Sequence, residues 1–391
     1  MPKEVLETVH QHWPRSQLCI MTREFNPLIL ASALLYRLEV SVPCQRKFVP
    51  DSLSYFRRLK DAILQSQSLR ILSIDIHQHN LIHRHSLDSA DRGPLNLPLG
   101  PSDRLPPLEQ LTIKAQSYDM SEVHCRRLLQ CMDRKRLRCL DFADFFPCAF
   151  FRVFRDQLPN LSSLGFGYFK ATSPCLCTEP ALHPQISYQI SCIANHLDFT
   201  PALKELTVRA EHHRLDVDPW PEISRKHRDS LTKLALMTPK SVTLKRYDMN
   251  PSGLVRLPIY FPYLQSLELD LTMQRWLRPF SWDSQALSDL EGFEQLRSLR
   301  YLHISAPLEN NGTLIPSGLV FELRRRTEQR MHKFSQVFYE SHYLAHVAEA
   351  TVRFWWWERH HRKEFFRFDY AKYAGCKSSC RTCIQRENGD S

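Results

Sequence analysis

Eight copies of one phrase, Leu-x-x-Leu-x-apolar, recur in order between residues 69 and 304 and restrict the folds open to this chain more than any other feature. The copies begin at Leu69, Leu108, Leu137, Leu161, Leu203, Leu231, Leu264 and Leu299. They close on Ile74, Ile113, Phe142, Phe166, Val208, Leu236, Leu269 and Ile304. In each phrase the second leucine and the closing residue are two apart, so they share one face of a short strand and their flanking residues share the other. Successive copies start 39, 29, 24, 42, 28, 33 and 35 residues apart. Gaps of that length lack hairpin turns, so parallel strands joined by right-handed crossovers are expected.

The stretches between the phrases supply the crossovers. Leu53, Phe56, Leu59 and Ile63 fall at helical spacing behind Asp51 or Ser52 as an N-cap. Ile186, Ile190, Ile193 and Leu197 repeat that spacing, and Ala149, Phe150, Val153, Phe154 and Leu158 mark a further helix. A strand followed by a helix, too small to bury its apolar side alone, stacks on its neighbours. The class expected is α/β, an irregular leucine-rich-repeat-like solenoid over residues 43–316. The alternative is a globular α/β domain in which the phrases are unrelated buried strands. A regular repeat of this kind runs roughly 20–29 residues and places Asn or Cys at the ninth position, where the side chain satisfies turn backbone. Here that position holds His77, Gln116, Phe145, Phe169, Glu211, Pro239, Thr272 and Pro307. The turns are therefore expected to differ from copy to copy.

Composition narrows the function classes. The 391 residues provide ample chain for a core, and only 10 are glycine. There is no Gly-rich phosphate loop, Gly-x-Ser-x-Gly elbow or His-Glu-x-x-His helix, and Gly165-Phe166-Gly167 lacks the third glycine of a dinucleotide fingerprint. No enzyme activity and no cofactor are expected. Lys3, Glu4 and Glu7 do not suit a signal peptide beginning at residue 1, and no apolar run approaches the ~18 residues of a spanning helix. Twelve cysteines scattered along such a chain read as reduced thiols. A cytoplasmic or nuclear protein with no membrane contact is expected.

The opening residues carry a second pattern. Met1-Pro2-Lys3-Glu4-Val5-Leu6-Glu7-Thr8-Val9 is similar to the Leu-Pro-x-Glu-apolar-Leu start of an F-box. Residues 12–18 look like its turn into the next helix, and Phe25 matches the aromatic that ends that helix, one helical turn early. Residues 34–40 resemble the stretch that links an F-box to its first repeat. With the repeats behind it, the chain resembles filamentous-fungal F-box proteins with divergent leucine-rich repeats. The resemblance implies a shortened helical F-box-like module over residues 1–42 ahead of the solenoid, and a substrate-recognition adaptor of a Skp–cullin–F-box ubiquitin ligase. The Skp-type adaptor would meet Pro2, Val5, Leu6, Val9, Leu18 and Phe25, and the cullin scaffold would follow. An unidentified protein substrate would sit on the solenoid. Strand alternation then nominates the residues flanking the closing apolar position for that contact: Asp75, Lys114, Asp141, Arg209, Glu268, Asp270 and His303. The competing reading is a repeat scaffold that binds a partner without any ligase.

Three clusters invite other chemistry. His77, His79, His83 and His85 could face one metal but read as solvated residues of an insertion loop running on to Pro101. Cys376, Cys380 and Cys383 approach zinc spacing yet offer three thiolates, with only distant His360 or His361 as a fourth ligand. No metal site is expected. Residues 319–373 mix Arg324, Arg325 and Arg326 with Trp355, Trp356 and Trp357, a composition compatible with nucleic acid. Leu319, Leu323, Met331, Phe334 and Phe338 instead fall near one helical face, so residues 317–391 are expected to form a basic, aromatic helical cap with a Cys-containing tail, and nucleic acid is not the expected partner.

Overall fold

The structure is a computed structural model that describes residues 18–22, 35–44, 49–78, 95–114, 118–143, 145–168, 195–210, 220–237, 251–270, 293–307, 346–358 and 361–371. The chain divides into two compact units, whose described residues are 18–168 with 195–203, and 204–371. The span expected as one array is thus divided between residues 203 and 204.

The first unit runs β1 (Leu18–Thr22), β2 (Leu35–Cys44), α1 (Val49–Gln65), β3 (Ile71–Gln78), β4 (Gln110–Lys114), α2 (Glu122–Cys131), β5 (Cys139–Phe142), α3 (Cys148–Val153) and β6 (Ser163–Tyr168). Its strands pair in sequence order, and every pairing is parallel. The second runs β7 (Glu205–Ala210), α4 (Trp220–His227), β8 (Lys233–Met237), α5 (Pro251–Tyr260), β9 (Ser266–Asp270), β10 (Tyr301–Pro307), β11 (Glu349–Glu358) and β12 (His361–Ala371). There β7 to β11 pair parallel in order, and β12 turns back antiparallel on β11. The α/β class and the parallel pairing follow the expectation.

Within each unit the copies of the phrase lie in one register. In the first unit Leu38, Leu72, Leu111, Leu140 and Leu164 are successive backbone partners, as are Val40, Ile74, Ile113, Phe142 and Phe166. None of these ten is more than 3% exposed. Leu206, Leu234, Leu267 and Leu302 make the corresponding row in the second unit, beside Val208, Leu236, Leu269 and Ile304. The opening leucine of every phrase is buried as well. At about 1.5–3 kcal/mol per fully buried aliphatic side chain, these rows dominate what holds the strands together.

The starts of β4, β5, β6, β8, β9, β10 and β11 are each fixed by a shared carbonyl. The Arg70 carbonyl accepts the N–H groups of Glu109 and Gln110, that of Glu109 accepts Arg138 and Cys139, and that of Arg138 accepts Ser162 and Ser163. Lys204, Thr232 and Gln265 do the same for the copies that follow them, and Arg300 does so for Ala348 and Glu349 at the start of β11. Ahead of four copies, Pro106, Pro159, Pro201 and Pro262 stand two residues before the opening leucine, where a proline prevents any helical continuation. Asp156 meets its turn with φ of 56°, a left-handed conformation that aspartate tolerates better than most side chains.

The helices of the first unit share one face of its sheet. Phe142 of the inner row touches Phe150 and Phe151 of α3, with ring centroids 5.1 and 6.1 Å away. Helix α2 packs beside α3, and its buried His124 meets Tyr118, which meets Phe56 of α1. Helix α1 occupies its expected place, beginning two residues before Asp51. The N-terminus of α2 is capped by Ser121, whose Oγ accepts the His124 N–H at 3.4 Å. Asp119 holds the cap from below, accepting the Ser121 N–H and hydroxyl and the Asn96 amide. Ser121→Ala is expected to destabilise this unit by about 1 kcal/mol in chemical denaturation.

Three expectations are corrected. Leu18, read as part of the turn into the next helix of an F-box-like helical module, opens strand β1 and is the backbone partner of Leu35; a run of apolar residues that includes a β-branched Ile suits a strand beside β2. Residues 34–40, read as a linker, contain a ninth phrase, Leu35-x-x-Leu38-x-Val40, with exposures of 0%, 0% and 1%. At the other end, Glu349–Glu358 and His361–Ala371 form a β-hairpin and not part of a helical cap. Aromatic and β-branched residues crowd both strands, a composition that favours sheet. The helix expected from Leu319 to Phe338 lies outside the described residues, as does the insertion holding His79, His83 and His85, and so do Cys376, Cys380 and Cys383.

Candidate interaction face

The polar positions of the phrases gather on the sheet face opposite the buried rows. In the first unit Glu39, Ser73, Thr112, Asp141 and Gly165 form one rung, and Ser41, Asp75 and Lys114 form the next. In the second, Thr207, Ala235, Glu268, His303 and Thr351 are successive partners, flanked by Glu205, Lys233, Ser266, Tyr301 and Glu349. The register thus sets Asp75 beside Lys114 and Glu268 beside His303. Asp75, Lys114, Asp141, Arg209, Glu268 and His303 are all half-buried. Asp75, Asp141, Arg209 and His303 already have a partner within the chain. Asp270 ends β9 with Ser305 as its backbone partner.

This face is shallower than strand alternation alone predicts. Ser73, Thr112 and Ser305 occupy outward positions yet are only 8%, 5% and 1% exposed. Their short side chains end near the backbone, with neighbouring strands about 4.8 Å away on either side, while the carboxylates and amines reach above them. The available surface is therefore a lattice of charged tips over a floor of small residues.

Sequence reasoning missed the first rungs of this face. Glu39 and Arg37 form a side-chain pair, Arg37 Nε donating to Glu39 Oε1 at 2.7 Å, and Ser41 neighbours Asp75. The signal was present, because Leu35, Leu38 and Val40 satisfy the phrase once the frame starts at Leu35 and not at Leu34. Glu205 and Lys233 were also unassigned; their carboxylate and amine lie 3.8 Å apart, each about half exposed. Tyr301 projects with 51% of its surface exposed.

Of the residues nominated for a Skp-type adaptor, Pro2, Val5, Leu6, Val9 and Phe25 lie outside the described residues, and Leu18 is on β1. Among the described residues no group of three or more His, Cys, Asp or Glu side chains could hold a metal ion. Burial pushes the Cys125 thiol up to about 12, so it stays protonated at neutral pH. No helix among the described residues is long and apolar enough to cross a membrane. No protein-family model matches the chain, and no curated protein matches it.

Proposed function

We propose that this chain is a non-catalytic recognition adaptor that holds a partner protein on the polar sheet face and, through its first residues, delivers that partner to a Skp–cullin–F-box ubiquitin ligase. The observation that carries the recognition half is the common register of the phrases within each unit, which lines up variable polar side chains over a constant buried floor. Parallel strands in each unit, with helices on one side in the first, are compatible with a leucine-rich solenoid, whose open face suits an extended partner. The ligase half rests on the resemblance of residues 1–9 to an F-box start. Such an adaptor would contribute proximity, raising the effective concentration of a substrate lysine near activated ubiquitin.

A second reading, a repeat scaffold acting without a ligase, is favoured by one specific observation: residues 18–22 and 35–40 belong to the sheet, leaving less chain for a separate helical module. Affinity purification of the tagged full chain from its native cells, with mass spectrometry, separates the two. The adaptor reading expects Skp and cullin subunits among the recovered proteins, and Leu6→Asp lowers their recovery more than tenfold, about 2 kcal/mol or more. Lys114→Glu together with Glu268→Lys is expected to deplete the remaining interactors while Skp recovery and the melting temperature stay unchanged. Wild-type chain that recovers other proteins but neither Skp nor cullin would leave the scaffold alone standing.

A further inference from the structure

The turn between α2 and β5 gathers four exposed cations within five residues, and none of them is among the residues nominated for partner contact. Arg134, Lys135, Arg136 and Arg138 are all exposed, while Leu137 between them is buried and pins the turn to the core. The turn is held in one shape from three sides. Asp133 accepts the Lys135 N–H on its carboxylate at 3.2 Å and the Arg136 N–H on its carbonyl at 3.1 Å. Asn160 donates its amide to the Lys135 carbonyl at 2.7 Å, and Arg134 donates to the Gln157 side chain.

What distinguishes these cations is that acids nearby are engaged elsewhere. Glu122 takes Arg126 at 2.6 Å and Arg152 at 2.8 Å, and Asp156 lies 3.8 Å from Arg155, whose guanidinium also covers the Phe199 ring at 3.3 Å. Lys135, Arg136 and Arg138 form no salt bridge with an acid among the described residues, although Glu109 stands beside Arg138 at the start of the neighbouring strand. Three exposed cations without a salt bridge among the described residues, on a braced turn, are open to an external anion.

We infer that this turn is a docking site for a short acidic segment of a partner protein, its carboxylates or phosphate esters meeting Lys135, Arg136 and Arg138. Arginine and lysine on a pre-shaped loop bind clustered anionic oxygens with little ordering cost. Four residues of chain span at most about 14 Å, a footprint that a few consecutive acidic residues fill. A nucleic-acid duplex is a poorer fit, since even a single DNA-binding module covers roughly 600–1,000 Å², more than this one turn offers. The inference does not rest on the ligase reading and holds for either form of the proposed function.

Fluorescence anisotropy on the full chain tests it with three labelled probes: decaglutamate, a phosphoserine-containing acidic peptide, and a 20-base-pair duplex. Wild-type protein at about 50 mM salt is expected to bind at least one peptide more tightly than the duplex. The triple variant Lys135→Gln, Arg136→Gln, Arg138→Gln should bind that peptide at least tenfold more weakly, with an unchanged melting temperature. Arg297→Gln, in the second unit, should bind as wild type. Preference for the phosphorylated probe would name phosphate as the anion, and equal binding would name carboxylate; both support the site. Undiminished peptide binding by a folded triple variant, no binding of either peptide by wild type, or tighter duplex binding lost in the triple variant would each overturn it. Should the triple variant melt early, the single Arg136→Gln change, at an exposed side chain, carries the same comparison with a threefold loss expected.

Discussion

Replacing Leu38 by alanine is expected to destabilise the first unit by about 2–5 kcal/mol, the range for emptying a fully buried aliphatic site. Leu38 is 0% exposed and stands in the row that continues through Leu72, Leu111, Leu140 and Leu164. Urea denaturation followed by circular dichroism would read the change as a lower midpoint. The result distinguishes two accounts of residues 34–40. A surface linker would tolerate the substitution within about 0.5 kcal/mol, and a value that small would remove the ninth copy from the array.

Acid should weaken the same unit through a single buried histidine. His124 is 4% exposed. Burial, aided by Arg127, lowers its pKa from the ordinary 6.5 to about 4, against a smaller opposing pull from Asp119. Its Nε2 lies 3.3 Å from the Tyr118 hydroxyl, which already accepts the Leu97 N–H, so the hydroxyl proton points to an unprotonated ring nitrogen. Between pH 4 and 6.5 the unfolded chain binds a proton at this site that the folded chain refuses. Stability therefore rises with pH across that window and is lost as pH falls through it, by up to about 3 kcal/mol at 1.36 kcal/mol per pH unit. Urea midpoints for wild type and His124→Phe at pH 7 and pH 4.5 measure it. The variant starts less stable, because Tyr118 loses its acceptor, but should lose less on acidification. Equal losses in both proteins would mean that His124 is protonated in the folded state too.

The parts of the fold that depend on a local rule were readable before any coordinates. Alternation within Leu-x-x-Leu-x-apolar assigns a buried and an outward face, and every opening leucine is indeed buried. The helix behind Asp51 and the helix at Phe150 were equally legible from their spacing. The errors arose where one residue pattern satisfies two rules. Leu34 and Leu35 are adjacent, and a frame starting at the first reads as a linker while the second begins a strand. Residues 349–371 mix aromatics with bases in a composition that fits a helix or a hairpin, and only their pairing decides. Burial of Ser73 and Thr112 depends on side-chain length relative to strand spacing, a quantity that alternation does not contain.

The shared carbonyl at the start of six copies implies a spelling rule for this chain. Because the second and third residues of a copy both give their N–H to the copy before, neither can be proline. The chain contains 25 prolines, yet none stands at Glu109, Gln110, Arg138, Cys139, Ser162, Ser163, Thr232, Lys233, Gln265, Ser266, Arg300 or Tyr301. Two residues upstream of the opening leucine, where no such donation is made, proline occurs ahead of four copies. A scan that rewards proline at the earlier place and forbids it at the later ones would find degenerate copies without the ninth-position asparagine on which ordinary recognition of such arrays relies.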